Sequence, residues 1–164
     1  MINMSSLNKP LKVLLLFLVV WFIYSEFFAT HIKLINKTNY DIYSVKGEYL
    51  SKSTDVSSEE IDKQQRLVIT PKSEEQYSIR FSAQTANHPI DISIGWDTRV
   101  YDNNGDRISM IDSQGSSFIF SEDGFCDYDI IIHEQYAEAK GSNKNFCYRR
   151  ILLHSAKNII VTEG

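Results

Sequence analysis

The chain has 164 residues, of which 43% are hydrophobic, 12% aromatic and 23% charged, with 7 Gly and 3 Pro. These figures exclude a disordered or collagen-like chain, leave no Pro-rich or Gly-rich linker, and suit a single domain. A formal net charge of −4 argues against nucleic acid as a main partner.

The N-terminal region is the most informative. Lys9 and Lys12 precede Val13, Leu14, Leu15, Leu16, Phe17 and Leu18, and the run continues through Val19, Val20, Trp21, Phe22, Ile23 and Tyr24 without a charge. Phe27, Phe28 and Ala29 extend it past Ser25 and Glu26. From Val13 to Ala29 a helix would reach about 25 Å, the lower limit for crossing a hydrocarbon core of about 30 Å. A core helix fits poorly, because the segment is apolar all round instead of along one stripe. A cleaved secretory signal has the right charged start and apolar length. It lacks the small-x-small exit, since Ile23-Tyr24-Ser25 and Phe27-Phe28-Ala29 each begin with a bulky residue. No Cys follows the run, so lipoprotein processing is also out. The expectation is an uncleaved single-pass signal anchor over residues 11–29, with residues 1–10 cytoplasmic and residues 30–164 forming an exterior domain. Trp21 and Tyr24 suit an interfacial aromatic belt. The two lysines orient the chain, as on the periplasmic side of a bacterial inner membrane; His31, Lys33 and Lys37 oppose this without reversing it. Residues 30–164 carry a net charge of −5, a sign that does not draw the domain as a whole onto anionic lipid.

From His31 onward the pattern is mainly of period two. Ile32 and Leu34 begin it, before a polar turn at Asn36–Asn39. Ile42–Leu50 and Leu67–Thr70 are shorter candidates, separated by a polar loop over Ser51–Gln65. Tyr77, Ile79 and Phe81 alternate with Ser78, Arg80 and Ser82; Ile90, Ile92, Ile94 and Trp96 alternate with Asp91, Ser93 and Gly95. Both read as half-buried strands. Thr98–Tyr101 and Ile108–Ile111 flank Asp102–Asp106, whose Asn-Gly pair is the best hairpin signal in the chain. Further strands are expected at Phe118–Phe120, Tyr128–His133, Cys147–His154 and Ile159–Thr162. About nine to ten short strands imply an all-β domain, a β-sandwich or a barrel-like sheet with little helix. The helical candidates outside the anchor are Ser57–Lys63, with Ser57 and Glu60 spaced as a capping box, and Glu134–Lys140. Residues 30–164 are enough to bury a core without metal or cofactor, and none is expected.

Phe125–His133 and Phe146–His154 share the form Phe-Cys-x-x-x-apolar-apolar-apolar-His. A zinc site built on this repeat fails on geometry, because a Cys and a His seven positions apart on a strand face opposite ways and lie about 23 Å apart. A Cys126–Cys147 disulfide suits an exterior domain better. It places both strand starts at one end, so the strands run parallel or lie in facing sheets, with Glu134–Lys140 in the crossover. His133-Glu134 lacks the second His of a metalloprotease helix, since position 137 is Ala. A Cys–His pair from Cys126 or Cys147 with His133 or His154 loses its nucleophile on oxidation. Nucleotide-binding glycine loops and a G-x-S-x-G elbow are absent from the sequence. Asp102–Asp106 has a calcium-like composition, but its Gly falls at the fourth position. Asp127 and Asp129 are expected to pair across strands with Arg149 and Arg150. Asn36-Lys37-Thr38 is a sequon of consequence only in a eukaryotic secretory pathway.

Two functions remain. One is a non-enzymatic binding or accessory module held at a membrane with another protein as partner, of the immunity, inhibitor or envelope-assembly kind. The other is an exterior hydrolase using His and carboxylates from different strands. A cleft with His133 or His154 beside an Asp would favour the enzyme, and an exposed aromatic patch the binder.

Overall fold

A computed structural model of the chain describes residues 9–50, 59–60, 65–80, 90–98, 100–101, 104, 106–108, 114–157 and 159–163. One helix, α1 (Lys9–Phe27), leads into strands β1 (Thr30–Asn36), β2 (Ile42–Leu50), β3 (Glu59–Glu60) and β4 (Gln65–Ile69). Then follow β5 (Glu74–Ile79), β6 (Ile90–Thr98), β7 (Val100–Tyr101), β8 (Arg107–Ile108) and β9 (Gln114–Phe125). The chain closes with β10 (Asp127–Ile132), β11 (Ala137–Ser142), β12 (Ile151–Lys157) and β13 (Ile159–Glu163).

These strands make a β-sandwich. A five-stranded sheet has the order β13-β11-β10-β1-β5, and a six-stranded sheet the order β12-β9-β6-β2-β3, with β4 also paired to β2. The first sheet is mixed, because β1 runs parallel to β10 and β11 parallel to β13. The alternation seen in sequence turns into faces: in β1 every second residue from Thr30 to Asn36 is buried, and Ile92, Ile94 and Trp96 of β6 are buried likewise. Ile32, Leu34, Tyr77, Tyr128 and Ile130 from one sheet meet Ile42, Ile92, Ile94, Trp96 and Phe118 from the other in a single core. Phe118 and Tyr128 join the layers edge to face at 5.0 Å, and the Leu153 amide of the opposite sheet donates to the Tyr128 hydroxyl at 3.2 Å. Burial lifts the Tyr128 pKa above its ordinary value, and that hydrogen bond pulls it part of the way back.

Several expectations change. Glu134–Lys140 is not helical: β11 pairs antiparallel with β10, because Ala137 and Ala139 supply a period-two buried face. The strand expected from Cys147 begins only at Ile151, since residues 147–150 are held in a connection between the sheets. Glu60 of the expected capping box lies in β3, paired with Tyr49, and Ser57 and Lys63 lie outside the described residues. The hairpin around Asp102–Asp106 is present in its flanks, with Val100 opposite Ile108 and Tyr101 opposite Arg107; most of the turn lies outside the described residues. Asn36 of the sequon is wholly buried, and its amide nitrogen donates to the carbonyls of Tyr40 and Ile69 at 2.7 and 2.8 Å. Glycosylation would replace one of the two amide hydrogens and so remove at least one of these bonds.

The N-terminal segment also differs from the expected span. Helix α1 stops at Phe27, and the next residues join the sandwich: Ala29 and Thr30 are buried in it. The uncharged stretch Val13–Tyr24 therefore amounts to about 18 Å of helix, against the about 30 Å of a hydrocarbon core. Among the described residues no helix is long and apolar enough to cross a membrane. Yet the apolar side chains of α1 are exposed on every side, from Leu11 through Tyr24 to Phe27.

One charged pair interrupts the core. Lys46 and Glu48, two positions apart on β2, face inward and form a buried ion pair. Removing one partner strands the other charge, so Glu48→Ala should cost about 3–5 kcal/mol of stability. Replacing the pair together by Met and Leu should leave the protein no less stable than the parent. Urea unfolding of the three proteins checks this; a loss under about 1 kcal/mol for Glu48→Ala would contradict it.

Candidate functional site

The connection from β11 to β12 crosses from one sheet to the other beside the point where α1 enters the domain. Cys126 and Cys147 are disulfide-bonded, with Cα atoms 5.4 Å apart. The two cysteines sit at one end of the domain, and the strands that follow them, β10 and β12, lie in facing sheets, the second of the two arrangements expected from the sequence. Polar contacts fasten the rest of the connection. Asn143 Oδ1 accepts from the Cys126 amide at 3.1 Å, and Asn145 donates through its amide and side chain to both oxygens of Asp127. The Tyr148 amide donates to the Phe28 carbonyl at 3.0 Å, Thr30 Oγ1 donates to the Arg149 carbonyl, and the Ser121 amide donates to the Arg150 carbonyl.

An aromatic collar results around the end of α1. Phe28 packs on Tyr24 at 4.7 Å, on Tyr148 at 5.3 Å and on Phe146 at 5.5 Å, while Tyr24 meets Tyr148 at 5.2 Å. Phe27 and Phe146 are nevertheless 76% and 73% exposed. Guanidinium groups border the rings: Arg149 lies over the Phe120 face at 4.0 Å, and Arg80 over Phe22 of the helix at 6.0 Å. Partial burial lowers the Arg149 pKa from its ordinary value, which leaves it cationic at neutral pH. Beside the collar opens a groove of about 460 Å³ lined by Phe120, Ser121, Glu122, Cys147, Tyr148, Arg149 and Arg150. Arg150 donates to the Glu122 carbonyl at its rim. The surface combines fixed cations, exposed rings and one carboxylate, a chemistry suited to recognition.

The catalytic candidates separate. His154 is exposed at a bulge in the β12–β9 pairing. His133 stacks on Tyr136 at 4.5 Å with Nε2 at 3.3 Å from Glu138. Both cysteines are oxidised, so a Cys–His nucleophile has no thiol. Asp127 does not pair with Arg149 or Arg150: β10 and β12 lie in different sheets, and Asp127 is held by Asn145 and by His31, whose Nδ1 is 3.5 Å from Oδ1. Register places Asp129 between Lys33 and Lys140. His31 has Ser78 on its other side across β5, so Ser, His and Asp follow one another along the outer face. A shallow cleft of about 170 Å³ opens next to His31 and Asp127. The strand amides there serve the ladders, whereas an oxyanion needs donors aimed out of the sheet. Among the described residues no group of three or more His, Cys, Asp or Glu gathers to hold a metal.

The collar was not foreseen in the sequence, where Phe27, Phe28 and Ala29 read as a continuation of the apolar run. Its signal is the run Phe146-Cys147-Tyr148-Arg149-Arg150, aromatic and basic around a cysteine. No known protein-family model matches the chain, and no curated protein matches it in sequence.

The disulfide closes a loop with a sequence separation of 21, a constraint of roughly 3 kcal/mol in the chain-entropy account. Replacing Cys126 and Cys147 by Ser should lower stability by that order and speed hydrogen exchange of the Tyr148 amide. Unchanged protection at Tyr148 would contradict the role given to the bond.

Proposed function

We propose that this chain is a membrane-attached accessory or binding module, in which α1 holds the β-sandwich at a bilayer by a single crossing with its N-terminus cytoplasmic. The observation that carries this reading is the contrast along α1. Its C-terminal end is joined to the domain through Tyr24, the following Phe28 and the Arg80 guanidinium over Phe22, while its apolar side chains from Leu11 to Ile23 remain largely exposed. Such a surface, exposed to water, would forgo about 25 cal/mol for each Å² left uncovered. Lipid covers a helix all round, whereas a groove on a partner covers one face.

The short apolar run is accommodated at its ends. Lys9 and Lys12 can extend their ammonium groups outward along the helix, and a bilayer thins locally around a short span. Trp21 and Tyr24 then occupy the outer interface. The exterior orientation agrees with the disulfide, a bond that persists in oxidising compartments.

A protein-binding role outside the membrane is supported by exposed apolar groups: Phe146 on the collar, and Ile160 and Val161 on β13, which ends its sheet. An edge strand offers backbone groups for a partner's strand as well as side-chain contacts. The second reading, a hydrolase, is favoured by the His31–Asp127 contact alone. It requires Asp127→Asn to abolish turnover of an ester or peptide, whereas the accessory reading expects no turnover to lose.

Extraction of native membranes tests the principal reading. The chain should stay with the bilayer in alkaline carbonate, enter detergent, and show an intact mass that retains Val13–Tyr24. Leu16→Lys with Val20→Lys should move it to the soluble fraction. Release of the unaltered chain by carbonate, or a mature start between residues 24 and 32, would contradict the anchor.

A further inference from the structure

We propose that the groove beside the helix exit holds the phosphate of an anionic membrane lipid, with Arg149 and Arg150 as its cationic contacts. This inference rests on the membrane reading of α1, and the experiment below separates the two.

Depth is the first argument. Phe28 lies four residues beyond Tyr24, about 6 Å along a helix axis. Headgroups and interface add about 5–7 Å on each side of the hydrocarbon core. With Trp21 and Tyr24 in the interfacial belt, the collar therefore falls at phosphate level. Tyr148 and Arg149 are tied to that level by their backbone, through the bond from the Tyr148 amide to the Phe28 carbonyl and the bond from the Thr30 hydroxyl to the Arg149 carbonyl.

Chemistry is the second. Guanidinium groups recognise phosphate through two parallel N–H donors along an edge of the plane. The Arg149 guanidinium carbon lies 4.0 Å from the centre of the Phe120 ring, a contact that orients the group. Ordering it beforehand reduces the entropy lost on binding. Arg150 is held at the rim by the Glu122 carbonyl, and its backbone by Ser121. Phe27 and Phe146, exposed at the collar, add aromatic rings at the same interfacial level. The domain's net charge of −5 does not oppose this, because exposed charges separated by more than about 8–10 Å are largely screened at physiological salt. Glu122 is the local exception. Glu122 is among the residues that line the groove, and its negative charge weakens anion binding there.

The test uses the full chain reconstituted in phosphatidylcholine vesicles, with spin-labelled phosphatidylglycerol or spin-labelled phosphatidylcholine as probe. Electron spin resonance reads the fraction of each probe held against the protein. Because Lys9 and Lys12 also attract anionic lipid at the other end of α1, the comparison is made in a Lys9→Gln, Lys12→Gln background. The expected result is about a fivefold preference for phosphatidylglycerol, the scale of one cationic contact at a membrane surface. Arg149→Gln with Arg150→Gln should abolish the preference, the paired Lys variant should retain part of it, and Glu122→Gln should raise it. Vesicle insertion without any preference, or a preference indifferent to both the arginines and Glu122, would overturn the headgroup site and leave the anchor standing. Failure to insert in either lipid would overturn both.

Discussion

The Cys126–Cys147 bond holds the β11–β12 connection against the start of β10, and the arrangement of the helix exit follows from that constraint. Without it, residues 143–150 would be a surface crossover secured only by hydrogen bonds, most of them on exposed groups. With it, Tyr148 and Arg149 are presented to Phe28 and Thr30, and α1 ends in a packed aromatic cluster instead of a swivel. The same loop orients two guanidinium groups beside that cluster. Gly124 shows how close the neighbouring strands β9 and β12 come here, because a Cβ at that position would lie 2.2 Å from the Ile151 carbonyl oxygen. Any side chain would push β12 away from β9, and with it the loop that β12 follows.

Behind the collar the sandwich supplies a rigid support. Burial of alternating Ile, Leu and aromatic residues from both sheets is its driving term, and polar groups inside it are matched locally. Asn36 makes four side-chain hydrogen bonds, three within its turn and one to the Ile69 carbonyl of β4, Trp96 donates to Gln114 at 3.2 Å, and Lys46 is paired with Glu48. An unmatched group at any of these positions would cost about 1–3 kcal/mol, more for a charge. These matched groups also fix register, because a slip of one residue would turn each of them to the outer face.

Strand positions were legible in the sequence wherever one face is buried and the other wet. Ile92, Ile94 and Trp96, or Ile32 and Leu34, announce their strands by period alone. Glu134–Lys140 misled because two alanines and flanking charges suit a short helix, and only pairing with β10 makes Ala137 and Ala139 an inward face. Phe28 and Ala29 misled for a different reason. Hydropathy does not distinguish a residue covered by lipid from one covered by its own domain, and here the boundary falls between Phe27 and Ala29. The disulfide could be argued from spacing, and strand order narrowed the two strands to a parallel pair or facing sheets, of which the second is found. The collar could not, since it brings Phe28, Arg80, Phe120 and Tyr148 together from four separate regions of sequence. His31–Asp127 escaped notice likewise: the two residues face each other only because β1 and β10 are parallel neighbours.

The central claim, that α1 is covered by lipid while the sandwich stands outside it, can be read from the chain's two tryptophans. Trp21 is exposed on α1 and Trp96 is buried in the core. In vesicles carrying nitroxide-labelled lipid, the Trp21 emission of a Trp96→Phe chain should be strongly quenched from within the bilayer and resist aqueous iodide. Iodide quenching of Trp21 without any effect of the lipid nitroxide would contradict the account.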